Sequence, residues 1–526
     1  MSALTGTATL SRLILRRDRV RILVWITAIA VLVILTAASI KGLYPTQADL
    51  DQAAAATHGN ASAIALNGPD QGLDTLGGQV AFQVGLLGLV AVALMSMFVV
   101  GRESRAEEES GRLELVRAMA VGRHAPTAAA LVVAAGMNVA AGALVALGLL
   151  SLDLPVAGSL VFGVSFCALG LVFAGVATVA AQVTENTRVV YGISGAVLGV
   201  AFVLRAAGDI GDGTLSWFSP IGWAQKTRPF AGERWWPLVI TAAVIMGLVA
   251  VAGVLAARRD VGAGLVTPRP GPRVAAPGLG RPLGLALRLQ RGSVIGWSAG
   301  LFLTGVAYGV VANGVEDFVG DNTTMRDVFT TAGASLTDSY LSTMLLLMAL
   351  IATGYAVQSA LRLRSEETGL RAEPVLVTPV SRRRWLASHL AVALAGSVIV
   401  LAAGGLGAGL SYGIACGDLG QAPRLLGAAL AYTPALWLLA GLATALFGLV
   451  PRGVAAAWAA LAVCFVIGLL GQVLNLPTWV NDVSPFQHTP QLPAADPAIA
   501  PLAILAAIAA ALTWVGLTAF RQRDVG

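Results

Sequence analysis

Charge is what this sequence has least of. Only 12% of its 526 residues are Asp, Glu, Lys or Arg, against 56% hydrophobic residues. Soluble domains carry about 25% charged residues, so the composition excludes a solvated globule and points to a chain held mostly in lipid. Lysine is nearly missing, with Lys41 and Lys226 its two instances. A phosphate-binding loop, GxxxxGK[ST], needs a lysine before Ser or Thr; Lys226 precedes Thr227 but follows Gln225. The polypeptide does not bind ATP in that manner. Three cysteines, Cys167, Cys416 and Cys464, lie in or beside apolar runs without metal-type spacing, and read as packing thiols. Four histidines (His58, His124, His389, His488) are scattered, so no metal centre is expected. No Ser/His/Asp or Glu/His constellation emerges, and no catalytic residue is assigned.

What is abundant is apolar sequence in long runs. Twelve windows reach the roughly 18 to 20 residues that cross about 30 Å of hydrocarbon. They are 21–40, 80–100, 125–150, 156–181, 189–206, 236–256, 293–312, 340–357, 386–411, 425–449, 453–474 and 499–519. The first is long enough to span, so it reads as a membrane helix rather than a cleaved leader. The basic stretch "RLILRRDRVR" before it reads as an interfacial helix. Placing the N-terminus inside puts 27 of the 34 Lys and Arg residues on the cytoplasmic side and 7 outside. That split fits the positive-inside rule and puts both termini in the cytoplasm. A basic face beside anionic membrane lipid accounts for the net charge of +6 without nucleic acid. The spans as drawn hold essentially no carboxylate or basic residue at mid-membrane depth, which argues against ion coupling within the bilayer.

The chain reads as a duplication. "LILRRDRVRILVW", ending at Trp25, echoes "LALRLQRGSVIGW", ending at Trp297. Glu108–Glu109–Ser110–Gly111 aligns with Glu366–Glu367–Thr368–Gly369, with Arg123 near Arg382; Ser219–Pro220 matches Ser484–Pro485; "RRDVG" after Arg258 matches "QRDVG" after Gln522. The four anchors keep their order at offsets of 272, 258, 265 and 264. Internal repeats of this kind decide architecture. The expectation is an all-α polytopic membrane protein of twelve transmembrane helices, arranged as two parallel six-helix repeats. The halves are 1–262 and 285–526, joined by a cytoplasmic Pro/Gly-rich linker at 263–284.

Both glutamate-rich stretches join the second and third spans of their half. In the first, Ser110, Glu114 and Arg117 share one helical face and Leu113, Val116 and Met119 another. Such a segment can offer charges to a soluble partner; a solvated loop whose acids balance its arginines is the bland alternative. "EEESGRLELVRAMAVGR" and "EETGLRAEPVLVTPVSR" resemble the cytoplasmic E-x-G-T-L-E-x-L-x-x-T-P-V-S-R element of ABC-2 type exporter permeases. The double-length chain is similar to the fused actinobacterial polyketide-antibiotic and multidrug exporter permeases.

The resemblance implies a type V exporter fold and a separately encoded ATP-binding-cassette ATPase, in two copies, that carries the ATP and Mg; this chain itself binds no cofactor. It implies that coupling runs through Glu107, Glu108, Glu109, Gly111, Arg112, Glu114 and Arg117, and through Glu366, Glu367, Gly369, Arg371 and Glu373. The first half lacks the T-P of the tail, and the second carries Pro374 and an extra residue before Glu373, so the two docking surfaces should be unequal. A substrate cavity between second and fifth helices would use Phe82, Gln83, Met95, Phe98, Tyr191 and Phe202, with Tyr340, Met344, Met348 and Tyr355 opposite. A Met- and aromatic-lined chamber suits bulky amphipathic small molecules, though each residue taken singly also reads as helix packing. The function implied is export of antibiotics or drugs across a bacterial plasma membrane. An ion-coupled secondary drug transporter, an exporter of a cell-envelope lipid and a non-transporting scaffold or sensor stay open.

Overall fold

Twelve helices among the described residues of the computed structural model are long and apolar enough to cross a bilayer, and no strand occurs among those residues. The structure describes residues 2–59, 61–260, 262–266, 271, 273–312, 315, 335–470 and 477–523. The chain divides into two units, Met1–Pro270 and Gly271–Gly526. In the first, the short helix α1 (Thr7–Arg17) precedes six spans: α2 (Arg19–Leu43), α3 (Leu76–Gly101), α4 (Ala125–Leu150), α5 (Val156–Val183), α6 (Thr187–Ile210) and α7 (Pro237–Ala257). The second holds α8 (Pro282–Ala312), α9 (Leu336–Ala360), α10 (Arg382–Cys416), α11 (Thr433–Leu449), α12 (Ala455–Leu470) and α13 (Ile499–Gln522). The helix Gln421–Leu430 leads into α11 across a break before Pro434. Residues 471–474, the end of one expected span, lie outside the described residues.

Helix starts follow capping chemistry. Thr75 accepts the Gly78 N–H at the head of α3, and Ser335 accepts the Asp338 N–H at the head of α9. Proline opens α7 and α8, where the missing N–H costs nothing. Within each unit helices approach through glycine, because apolar surface alone does not hold helices together in lipid. A Cβ on Gly142 of α4 would strike the Gly163 carbonyl of α5, and one on Gly448 of α11 would lie 2.5 Å from the Gly516 carbonyl of α13. Buried polar groups find partners on neighbouring helices. Asn138 of α4 donates to Ser96 of α3 at 2.8 Å, and only a glycine at position 170 leaves room for its amide.

Titratable groups do occur within two of the spanning helices, toward their ends rather than their middles. Helix α6 continues to Ile210, so Arg205 and Asp209 lie within it. The fully buried Arg205 donates to the Ile64 carbonyl at 3.1 Å, pairs with Asp209 at 3.6 Å and lies 5.0 Å over the Phe202 ring. His389 of α10 is buried 3.4 Å from Gln290, which also binds Ser359. Side chains and carbonyls packed against these groups satisfy part of their polarity, while Arg205 Nε and Nη2 and Asp209 Oδ2 lack a hydrogen-bond partner among the described residues. The start of the Pro/Gly-rich join is likewise tied down: Leu265 and Val266 donate to the Gln182 and Val183 carbonyls at the end of α5.

Candidate functional site after the second span of each unit

In the first unit α3 ends in a π-helical turn, Arg102–Ala106, followed by short helices Glu107–Glu109 and Arg112–Arg117. A π turn spends one extra residue, and here it absorbs that residue so that Glu108 still reaches Arg259. Glu108 lies between two arginines: Arg105 on its own turn, and Arg259 just beyond α7, which donates Nη2 to Oε1 at 2.7 Å and Nη1 to Oε2 at 3.0 Å. Arg105 donates Nε to the Ala181 carbonyl at 3.0 Å, and Arg259 donates Nε to Gln182 at 2.6 Å. Glu109 accepts the N–H of Thr187, the first residue of α6, where a carboxylate meets unpaired helical N–H groups. Glu107 accepts from Arg17 of α1 at 3.0 Å and lies 3.8 Å from Arg112. Arg17 also binds Glu103, and Arg102 clasps Asp18 at 3.0 Å. Burial raises the Asp18 carboxyl, but hydrogen bonds to Glu103 and Arg102 more than offset this and hold it below the usual carboxylate range.

The second unit repeats the arrangement on the helix Arg362–Thr368. Glu366 accepts from Arg362 at 2.7 Å and Arg371 at 2.8 Å. Glu367 accepts from Arg364 at 3.1 Å and from Arg523, just beyond α13. Arg523 donates to the Phe447 carbonyl of α11 at 2.8 Å and lies over the Phe447 and Phe520 rings.

These contacts revise the alignment of the repeats. Arg105, Glu107, Glu108, Arg112 and Glu114 correspond to Arg364, Glu366, Glu367, Arg371 and Glu373, an offset of 259 rather than 258. Gly111, at φ +73°, then falls on Leu370, at φ +54°, and not on Gly369. The caps Thr75 and Ser335 stand 260 apart, and the extra residue of the π turn brings the spacing down to 259. The residue before Glu373 is therefore not an insertion. Arg123 and Arg382 also sit 259 apart and do the same thing: Arg123 donates to the carbonyl of Arg259 at 3.2 Å, Arg382 to that of Arg523 at 2.6 Å.

A sequence-family model described as "Multidrug efflux system permease Rv1217c, C-terminal domain" matches residues 279–521. The "Multidrug efflux system permease protein Rv1217c" of Mycobacterium tuberculosis is 45% identical over 529 residues, which cover 100% of this chain and 96% of that protein. The chain belongs to this family of efflux-system permeases.

In the permease Glu108, Glu366 and Glu367 face the protein, and several large apolar residues of the same segments face out. Glu366 and Glu367 are buried and Glu108 nearly so, whereas Glu114 and Glu373 are exposed. Leu113 is buried, but Leu115 is 75% and Met119 72% exposed; in the second unit Leu370 is 66% and Val377 86% exposed. The side chains of Val116 and Arg117 lie outside the described ones. Arg105, Arg259 and Arg523, which complete the site, were not singled out from the sequence. The signal for Arg259 and Arg523 was the repeated "RD" that closes each half; Arg105 lies outside that motif, directly before the first glutamate-rich stretch.

The expected cavity residues fall in different places. Phe98 and Tyr191, ring centroids 5.2 Å apart, line a 340 Å³ cavity with Trp25, Val133, Met137, Asp18 and Arg102. Phe82 lines another cavity with Phe162 and Gln225, 16 residues or about 24 Å up α3. Gln83 is exposed and bonds Gln79 at 3.3 Å; Phe202 packs under Arg205. Met95, Met348, Tyr340 and Tyr355 are core residues of their own units, and Met344 packs against that core.

Proposed function

We propose that this permease is the membrane subunit of an ATP-binding-cassette exporter that moves bulky amphipathic compounds out of the cell. A separate ATPase, in two copies, would carry the ATP and Mg and dock at the segments after α3 and α9, on the cytoplasmic side. The observation that carries the reading is the pair of exposed apolar tips, Leu115 with Met119 and Leu370 with Val377. Such side chains on a charged loop beyond the spans offer apolar surface for a protein partner to cover. The relative's printed description as a multidrug efflux permease supports the substrate class. The docking chemistry is thus apolar contact rimmed by Glu114 and Glu373, with the inner glutamates bracing the loop behind it.

The test is Leu115→Asp and Met119→Asp together with Leu370→Asp and Val377→Asp in the full chain. Membrane insertion should persist while the ATPase no longer co-purifies and drug export falls. Co-purification and export at wild-type level would sink the reading. The buried Arg205–Asp209 pair favours an ion-coupled carrier as the competing reading. Export that stops when the proton gradient is collapsed at constant ATP would select it.

A further inference from the structure

We propose that Arg259 and Arg523 are positioning residues through which each coupling segment drives the last span of its unit. The inference deepens the coupling reading above and rests on it for the source of the push. Its physical basis is a knot that occurs in both units. The loop between second and third spans has two stems, and both grip the same residue beyond the sixth span. On the incoming stem Glu108 holds the Arg259 guanidinium, and Glu367 holds that of Arg523. On the outgoing stem Arg123 holds the Arg259 carbonyl, and Arg382 that of Arg523. The same arginines reach the end of the fourth span, through Gln182 in one unit and the Phe447 carbonyl in the other.

The sixth spans need such a tie. Only 11% of the apolar window of α7 and 17% of that of α13 is buried, against 67% for each second span. Each last span packs chiefly on the fourth span, as α13 does on α11 through Gly516 and Gly448, so a directional bond is what ties it to the loop after the second span. The Glu108–Arg259 fork supplies one in the first unit, because its two parallel hydrogen bonds fix orientation as well as distance, and the Glu367–Arg523 ion pair supplies it in the second. Arg123 and Arg382 add cations at helix C-termini, where the exposed carbonyls favour them. The tips Leu115 and Val377 take the push, and Arg259 and Arg523 pass it to α7 and α13.

The test uses the full chain in cells with its ATPase, and ethidium as the exported probe. Arg259→Gln and Arg523→Gln should each lower ethidium efflux between roughly twofold and thirtyfold. Membrane level and ATPase co-purification should not change. Arg259→Lys, which keeps the charge and loses the fork, should be impaired as well. The swaps Glu108→Arg with Arg259→Glu and Glu367→Arg with Arg523→Glu should restore efflux in part. In purified full chain the Gln variants should speed amide exchange at residues 253–259 and 518–523 while leaving exchange in α3 and α4 unchanged. Wild-type efflux in the Gln variants, or no rescue by either swap, would overturn the proposal. Absence of a co-purifying ATPase from wild type would overturn the coupling reading instead, leaving exchange and swap rescue to decide the latch.

Discussion

At the scale of single residues, burial changes what a glutamate means. Glu108, Glu366 and Glu367 were read from sequence as charges offered to a partner, yet each is enclosed by two arginines. Removing one partner of a buried ion pair leaves an uncompensated charge, at a cost of about 3–5 kcal/mol. Glu108→Ala should therefore lower the thermal midpoint of the purified protein by several degrees. Glu114→Ala and Glu373→Ala, at exposed positions, should stay within about 0.5 kcal/mol of wild type. Equal midpoints for Glu108→Ala and Glu114→Ala would show that the Arg105–Glu108–Arg259 contacts carry no stability. Sequence spacing could not separate these residues, because which face of a short helix is inward depends on what packs there. Glu108 is an inward residue because it meets the buried Arg105 and Arg259, the latter about 150 positions away.

At the scale of elements, the two stretches differ by one turn of backbone. The first unit carries the π turn Arg102–Ala106 and the second an ordinary α-helix at Arg362–Thr368, yet both deliver the same carboxylate to the same arginine. A deletion tests this directly. Removing Ser104 converts the π turn to an α turn and should keep Glu108 on Arg259, with insertion and efflux retained. Removing Leu363, where no spare residue exists, rotates Glu366 and Glu367 by about 100° and should abolish efflux. Similar losses from both deletions would mean that the turn is not a spare residue. Pattern reading located every span, because apolar runs of 20 residues have few other uses. It missed where helices stop being apolar but remain helical, as at Arg205 and Asp209 in α6. There hydropathy ends before hydrogen bonding does.

At the scale of the whole molecule, each unit has its own buried core. One gathers Val33, Met95 and Phe166, the other Leu345, Tyr355 and Leu439. Polypeptides ending at Pro270 and beginning at Gly271 should each insert into the membrane when expressed alone. Each should resist protease along its spans as in the intact chain; degradation of either would show that its core is incomplete. The tryptophan, glutamate and "RD" anchors make matching contacts within each unit. Trp25 packs on Phe98 at 6.2 Å and Trp297 on Tyr355 at 6.4 Å, in each case first span against second. The glutamate anchor and the closing "RD" anchor, unrelated in sequence, turn out to be the two halves of one ionic knot.

Composition and hydropathy by themselves determined that this is a twelve-span membrane protein, because a bilayer rejects charge along any helix that crosses it. The repeated motif was enough to find the place after each second span. Tertiary structure alone decided that Glu108, Glu366 and Glu367 look inward and the apolar tips outward. It also decided that the register between repeats is 259, and that Arg259 and Arg523 tie loop to last span. Those facts depend on residues far apart in the chain meeting at a few ångströms, where a charge is stable only opposite its partner.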